Sequence, residues 1–417
     1  MARMHALGAL TGRRRRRVGL RALVQVIMFG PVLLGLAACT LIGNRMTTAT
    51  ALKINAPVPS GSGLYSLRYD LENGVSHYTV VRDDAATGTP QWQQTVPGGV
   101  TKLTVSDGTI YVNTGLNALA LRGGDGTELW NTSLSDSLQP QFNDNAQMRQ
   151  QPVVADGHVY LAETPVRFMQ GQVEALRASD GEHLWSHTFD DILDVTAGDG
   201  LVFVTSGGNG ISALHAADGS LAWQAQYTGP VQLLGGLVYV NLAPAPLVAL
   251  DEHTGALVWT LPCWQQSAIV PSALGTRIYI GCLEPHNSVV TFAGIFAFDT
   301  QQHQVLWKYQ ASNFGTPVAV ANLVVIPNGT ALDAVGASDG KLVWHQQSEE
   351  PNAGPVALAR IGDTLYVRVR LIYPHVYIFG CGTNCKQSYS LSALRASDGV
   401  AYWRHYEPSG NLQLIAA

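Results

Sequence analysis

"ALRASDGEHLWSHTF", Ala175–Phe189, is written almost a second time as "ALRASDGVAYWRHYE", Ala393–Glu407. In both lines an alanine leads into an Asp-Gly pair, and a tryptophan follows the glycine by four residues. The same spacing recurs through the chain and ends at Trp92, Trp130, Trp185, Trp223, Trp259, Trp307, Trp344 and Trp403. Glycine stands four before the tryptophan in seven copies; His303 takes that place before Trp307. Alanine stands ten before it in seven copies: Ala120, Ala175, Ala213, Ala249, Ala297, Ala334 and Ala393, with Arg82 in the first. Successive tryptophans lie 36 to 59 residues apart. Self-similarity at roughly 40–50 residues marks a propeller or an array.

Each copy carries a second signal upstream. "DGTIYVNT", "DGHVYLAE", "DGLVFVTS", "GGLVYVNL" and "GDTLYVRV" each place a turn before a β-branched and aromatic run. Such runs read as strands, and an Asp-Gly turn suits a tight hairpin because glycine accepts positive φ. Each unit therefore reads as four short strands, A to D, with the tryptophan on D. Eight such units, with no helical periodicity, predict an all-β, eight-bladed β-propeller of four-stranded antiparallel blades. A ring also removes the two exposed edges of an open stack. The first unit has room only for B, C and D, while "NLQLIAA", Asn411–Ala417, fits an A strand. The C-terminal strand is thus expected to complete the first blade.

An alanine, then Asp-Gly or Thr-Gly, then tryptophan resembles the PQQ-like β-propeller repeat, over about residues 64–417. In that family the tryptophan docks on the neighbouring blade and the alanine leaves room for close approach. The resemblance implies both roles here, except at Arg82 and His303. The repeat occurs in quinoprotein dehydrogenases and in non-catalytic lipoproteins, and a fold alone does not choose between them. A bare propeller behind a lipoprotein signal, which here is the apolar run over Ala22–Ala38 closed by "LAAC" at Cys39, is similar in architecture to the BamB family, which holds partner proteins. The alternative is a PQQ-dependent dehydrogenase of alcohols or aldose sugars, with PQQ and Ca²⁺. Alcohol-oxidising members carry adjacent bridged cysteines, and this chain has no Cys-Cys pair. Nor does an acidic cluster offer the converging oxygens that Ca²⁺ requires. The expectation is a non-enzyme with no cofactor, no metal site and no catalytic residue.

The address lies at the N-terminus. Residues 1–39 hold seven arginines and no acid, then an apolar run over Ala22–Ala38, then "LAAC" ending at Cys39. That order matches a secretory signal whose last four residues resemble a bacterial lipobox. Residues 1–39 are expected to be a signal peptide with lipidation at Cys39, or an uncleaved membrane anchor. Both place the body outside the cytoplasm, on the bacterial cell envelope. Residues 40–63 are polar, small and aperiodic, and read as a flexible tether to a propeller over 64–417. The remainder beyond residue 39 holds 18 basic against 30 acidic residues. That balance argues against nucleic acid as a partner. The propeller is expected to be monomeric.

Four cysteines remain: Cys263, Cys282, Cys381 and Cys385. Outside the cytoplasm an even count suggests two disulfides, with three possible pairings. Cys263–Cys282 and Cys381–Cys385 are favoured, since the first pair sits at one blade end and the second closes "CGTNC". The histidines are scattered and form no close ligand pair.

The turns A–B and C–D stay short. Long insertions fall at Leu138–Gln150, Glu163–Gln172, Glu284–Gly294 and Leu371–Ser390. They occupy B–C loops and one D–A loop, which share a face in an antiparallel blade. Function tends to sit in such loops. Phe168, Phe292, Tyr373, Tyr377, Phe379 and Tyr389 are candidates for contact with a protein or cell-envelope partner. An equal alternative is that these rings pack each loop onto its own blade.

Overall fold

In the computed structural model the described residues are 56–72, 75–97, 102–115, 117–134, 148–149, 151–164, 170–241, 246–261, 263–265, 267–272, 275–286, 289–311, 313–348, 354–371, 388–407 and 410–417. They form eight antiparallel sheets whose strands follow in the order A-B-C-D. Blade 2 shows the pattern: A is Leu103–Ser106, B is Thr109–Asn113, C is Asn117–Arg122 and D is Glu128–Ser133. Blade 1 takes its B, C and D strands from Gly63–Glu72, Val75–Asp84 and Pro90–Val96. Its A strand is Gly410–Ala416, which pairs antiparallel with Gly63–Glu72. The backbones of Gly63 and Ala417 exchange two hydrogen bonds, 2.8 and 3.0 Å. The first and last described strands therefore close the ring within one sheet, as the sequence predicts.

The hairpins explain the glycines. At the A–B turn of blade 2, Asp107 and Gly108 have φ of 47° and 72°. Two consecutive positive φ values match the right-handed twist of the flanking strands. The C–D turn differs. Gly181 has φ 74°, and its N–H donates to the carbonyl of Arg177 at 2.8 Å. The Asp180 carboxylate accepts from the Glu182 N–H at 3.1 Å, so the aspartate closes the turn that the glycine bends. Directly after it every blade shifts register by one residue, for example between Ala175 and Leu176. This bulge sits beside the tryptophan in all eight blades and twists the outer edge strand.

Burial follows strand position. B and C strands are buried, as in Leu201–Ser206, while the D strand Leu221–Ala225 is exposed except around its tryptophan. The hydrophobic core is a series of seams. One cluster joins Tyr65 and Val80 of blade 1 to Ile110 and Leu119 of blade 2. Another joins Trp403 and Tyr366 of blade 8 to Leu64 and Ala85 of blade 1. Each blade thus buries its apolar faces only between two neighbours, which is why a closed ring is needed.

Residues 56–62 belong to the stretch expected as a tether. They lie against blade 1 and do not hang free: Ala56 is buried, and its N–H donates to Ala86 O at 2.8 Å. The Arg82 guanidinium fastens the same stretch by donating to Gly61 O at 2.6 Å. The expected signal, with Cys39, lies outside the described residues.

Candidate partner-binding face

The repeat residues meet at the seams. Each alanine pairs directly with its tryptophan across strands C and D, as Ala120 with Trp130 and Ala249 with Trp259. On the other side six of the seven face an aromatic residue of strand B, as Tyr111 or Tyr239, while Ala334 faces Val325. Ring centroids of Tyr111 and Trp130 lie 6.0 Å apart. Six tryptophans then donate their indole N–H to a backbone carbonyl of the following blade. Trp92 reaches Gly123, Trp130 reaches Ala178 and Trp185 reaches Ala216, at 3.0, 2.9 and 2.8 Å. Trp223 reaches Glu252, Trp307 reaches Ala337 and Trp344 reaches Ala396, at 2.8, 3.1 and 2.9 Å. The indole Nε1 atoms of Trp259 and Trp403 are buried and have no hydrogen-bond partner. Trp259 faces His303, the residue that replaces glycine, with ring centroids 5.8 Å apart. His303 keeps the glycine's left-handed conformation, φ 54°.

A disulfide joins Cys263 to Cys282 across 5.5 Å between Cα atoms. Both cysteines are buried in the cluster between blades 5 and 6, beside Trp259. Cys381 and Cys385 lie outside the described residues.

The antiparallel pairing puts B–C and D–A connections on one face and the short turns on the other. The longest strands point toward that first face: in blade 6, B is Arg277–His286 and C is Val289–Asp299. Phe292 is half-buried on this hairpin. Its ring lies 5.3 Å from Phe296, and Lys308 Nζ sits over both rings at 5.6 and 4.8 Å. Lys308 also pairs with Glu284 at 2.6 Å. Tyr389 lies in strand C of blade 8, Ser388–Arg395, and is only 9% exposed. The Arg368 guanidinium covers its ring at 4.5 Å. Tyr389 is therefore not an exposed partner contact; the strand pairing carries it inside its own blade. Phe168, Tyr373, Tyr377 and Phe379 lie outside the described residues.

The sequence reading missed two polar features. The first is a buried carboxylate at the seam of blades 6 and 7. Asp333 accepts from Tyr309 at 3.0 Å, from Asn328 at 2.7 Å and meets His345 Nδ1 at 2.6 Å. Burial, and then its bond to Asp333, push the Tyr309 hydroxyl up to about 12. This group ties one blade to the next. The second feature is a small cleft of about 50 Å³ between blades 7 and 8, lined by Thr330, Ser392, Arg404 and Tyr406 among others. Its residues lie next to the B–C and D–A ends of their strands. The signal for both was in the register: the residue before the alanine pairs with the residue after the tryptophan, as Asp333 with His345 and Ser392 with Arg404. Among the described residues no group of three or more His, Cys, Asp or Glu could hold a metal ion.

The family described as outer membrane protein assembly factor BamB matches this chain at residues 75–193, 116–241, 169–269 and 246–414. BamB from Yersinia pestis is 24% identical over 270 residues, 56% of this chain and 64% of its own length. The match therefore spans less than two thirds of that relative. The crystal structure of BamB from Moraxella catarrhalis superposes with a TM-score of 0.50 at 14% identity, covering 72% of this chain and 92% of that one. Quinohemoprotein alcohol dehydrogenase from Comamonas testosteroni superposes with a TM-score of 0.54 at 14% identity, covering 85% and 75%. At that identity both structures speak only to the fold they share. The matches of sequence run through most of the repeat, and the chain belongs to the BamB family of PQQ-like repeat propellers.

Proposed function

We propose that this chain is a non-catalytic, extracytoplasmic scaffold that offers its B–C and D–A face to a protein partner in the cell envelope. The observation that carries the reading is the asymmetry of the disc within a BamB-family chain. Among the described residues one face carries tight turns such as Asp107-Gly108, while the other carries the extended blade 6 hairpin and the cleft beside Arg404. We also propose that Cys39 is lipidated or that residues 1–39 remain as an anchor, with a tether that ends on blade 1 at Ala56.

The fold is also that of a quinohemoprotein dehydrogenase, which keeps the PQQ reading as the competing one. A titration of the purified full chain with PQQ and Ca²⁺, followed by tryptophan fluorescence, separates the two. Dye reduction with alcohols and aldose sugars is assayed alongside. The scaffold reading expects neither saturable binding nor turnover. Stoichiometric binding with turnover would overturn it.

A further inference from the structure

Blade 8 departs from the charge of the molecule around it. Beyond residue 39 the chain carries 30 acidic and 18 basic residues, yet residues 354–407 hold six basic and three acidic. Two of those acids sit away from the candidate face, and the third, Glu407, ends strand D at that face. Asp363 lies in the A–B turn, and Asp398 lies in the C–D turn, where it pairs with Arg395 at 2.7 Å. Toward the opposite end of the blade stand Arg368, Arg370 and Arg404, of which Arg404 lines the cleft, while Arg368 and Arg370 alternate with the cleft residues Val367 and Val369 and lie on the other face of the sheet. That end borders the cleft between blades 7 and 8.

The lining of the cleft has a specific chemistry. Arg404 Nε donates to Ser392 Oγ at 3.1 Å. A hydroxyl that accepts from a guanidinium keeps its own proton free to donate onward. Ser390 and Ser392 are 5% and 4% exposed, and Val367 and Leu394 close the floor. A cation and hydroxyl donors over an apolar floor favour a compact anion, because low polarity strengthens charge-assisted hydrogen bonds. A volume of about 50 Å³ holds roughly four waters, which is the scale of one short side chain.

We propose that this cleft receives the carboxylate of an Asp or Glu side chain carried on a partner segment that docks along blade 8. Arg404 and Ser392 take the carboxylate. The inference rests on the reading of this face as the partner-binding one, and it adds the chemistry of what binds.

The test uses the full chain and a fluorescein-labelled heptapeptide of alternating glycine and glutamate, read by fluorescence anisotropy. The matched peptide has glutamine for glutamate. The glutamate peptide should bind saturably and more weakly as salt rises, while the glutamine peptide should not bind. Arg404→Gln should weaken binding about tenfold, as loss of one charge-assisted contact does. Ser392→Leu, which fills the cleft, should weaken it similarly with an unchanged melting temperature. Arg395→Gln, on the other face, should leave binding unchanged. Equal binding of both peptides, or equal effects of Arg395→Gln and Arg404→Gln, would overturn the proposal. So would full competition by acetate at the same carboxylate concentration, which would mark a site for small carboxylates. None of these outcomes touches the wider reading of the face, which cross-linking judges separately.

Discussion

Trp185 Nε1 donates to the carbonyl oxygen of Ala216 at 2.8 Å, across the boundary between blades 3 and 4. The bond repeats at six of the eight seams and is missing at Trp259 and Trp403. That difference makes the seams testable against one another. Trp185→Phe keeps most of the apolar ring and loses the bond, and should cost about 1 kcal/mol beyond the same change at Trp403. Trp185→Ala should cost about 3–5 kcal/mol. Denaturant midpoints of the variants report both. Equal losses for the two Trp→Phe changes would remove the hydrogen bond from the account.

Two glycines with similar φ separate backbone strain from packing. Gly157 has φ 76° and open space where a Cβ would stand. Gly181 has φ 74°, and a Cβ there would lie 2.7 Å from Trp130 Cε3. Gly157→Ala should cost about 1–2 kcal/mol from conformation alone. Gly181→Ala should cost at least about 2 kcal/mol more, since the neighbouring indole must move. Similar melting temperatures for the two variants would contradict this seam geometry.

The seam between blades 5 and 6 lacks its tryptophan hydrogen bond and carries the Cys263–Cys282 disulfide, which spans 19 residues of sequence. A closed loop of that size stabilises by about 3 kcal/mol. Replacing both cysteines with alanine should lower the unfolding midpoint accordingly, and reductant should then have no further effect at this seam. An unchanged midpoint would show that the pair contributes nothing there.

Ring closure depends on the last strand. Removal of residues 410–417 takes away the whole A strand of blade 1 and its pairing to Gly63–Glu72. The truncated chain should lose cooperative unfolding and become sensitive to limited proteolysis at both ends of the ring. Cooperative melting at the full-length temperature would contradict closure by this strand.

Acid should loosen the C–D turns together. Hydrogen bonds from the turn residues hold the Asp125, Asp218, Asp251 and Asp299 carboxyls below the usual aspartate range. A lowered folded-state value gives stability that is present above about pH 4 and is lost as pH falls through the folded value. The melting temperature should therefore drop between about pH 4 and pH 2. Asp218→Asn should shrink that drop. A melting temperature unchanged over this range would count against the turn hydrogen bonds.

The ring was legible because its seams repeat. Ala213 and Trp223 recur at fixed spacing since each must fit the same neighbour, and eight copies of one constraint leave a visible period. The closing strand was legible because the first blade lacked an A strand. Sites were less so. Tyr389 reads as a loop aromatic in sequence, but pairing with Arg370 draws it into the sheet, where Arg368 covers it. The Asp333 group and the Arg404 cleft escaped notice because they depend on cross-strand register, which a one-residue bulge shifts in every blade. Arg82 is legible only as an exception; its use emerges once Gly61 and Tyr65 are placed beside it.

The central claim is that one face of the disc meets the partner. The direct measurement is photo-cross-linking in intact cell envelopes, with a photoreactive residue at one exposed position at a time. Gln170 and Gln347 stand at the B–C and D–A face, and Ser179 and Lys341 stand at the C–D turns. Adducts of one defined mass from Gln170 and Gln347, with none from Ser179 and Lys341, are the predicted result. Adducts from the turn positions alone, or equally from both faces, would contradict it.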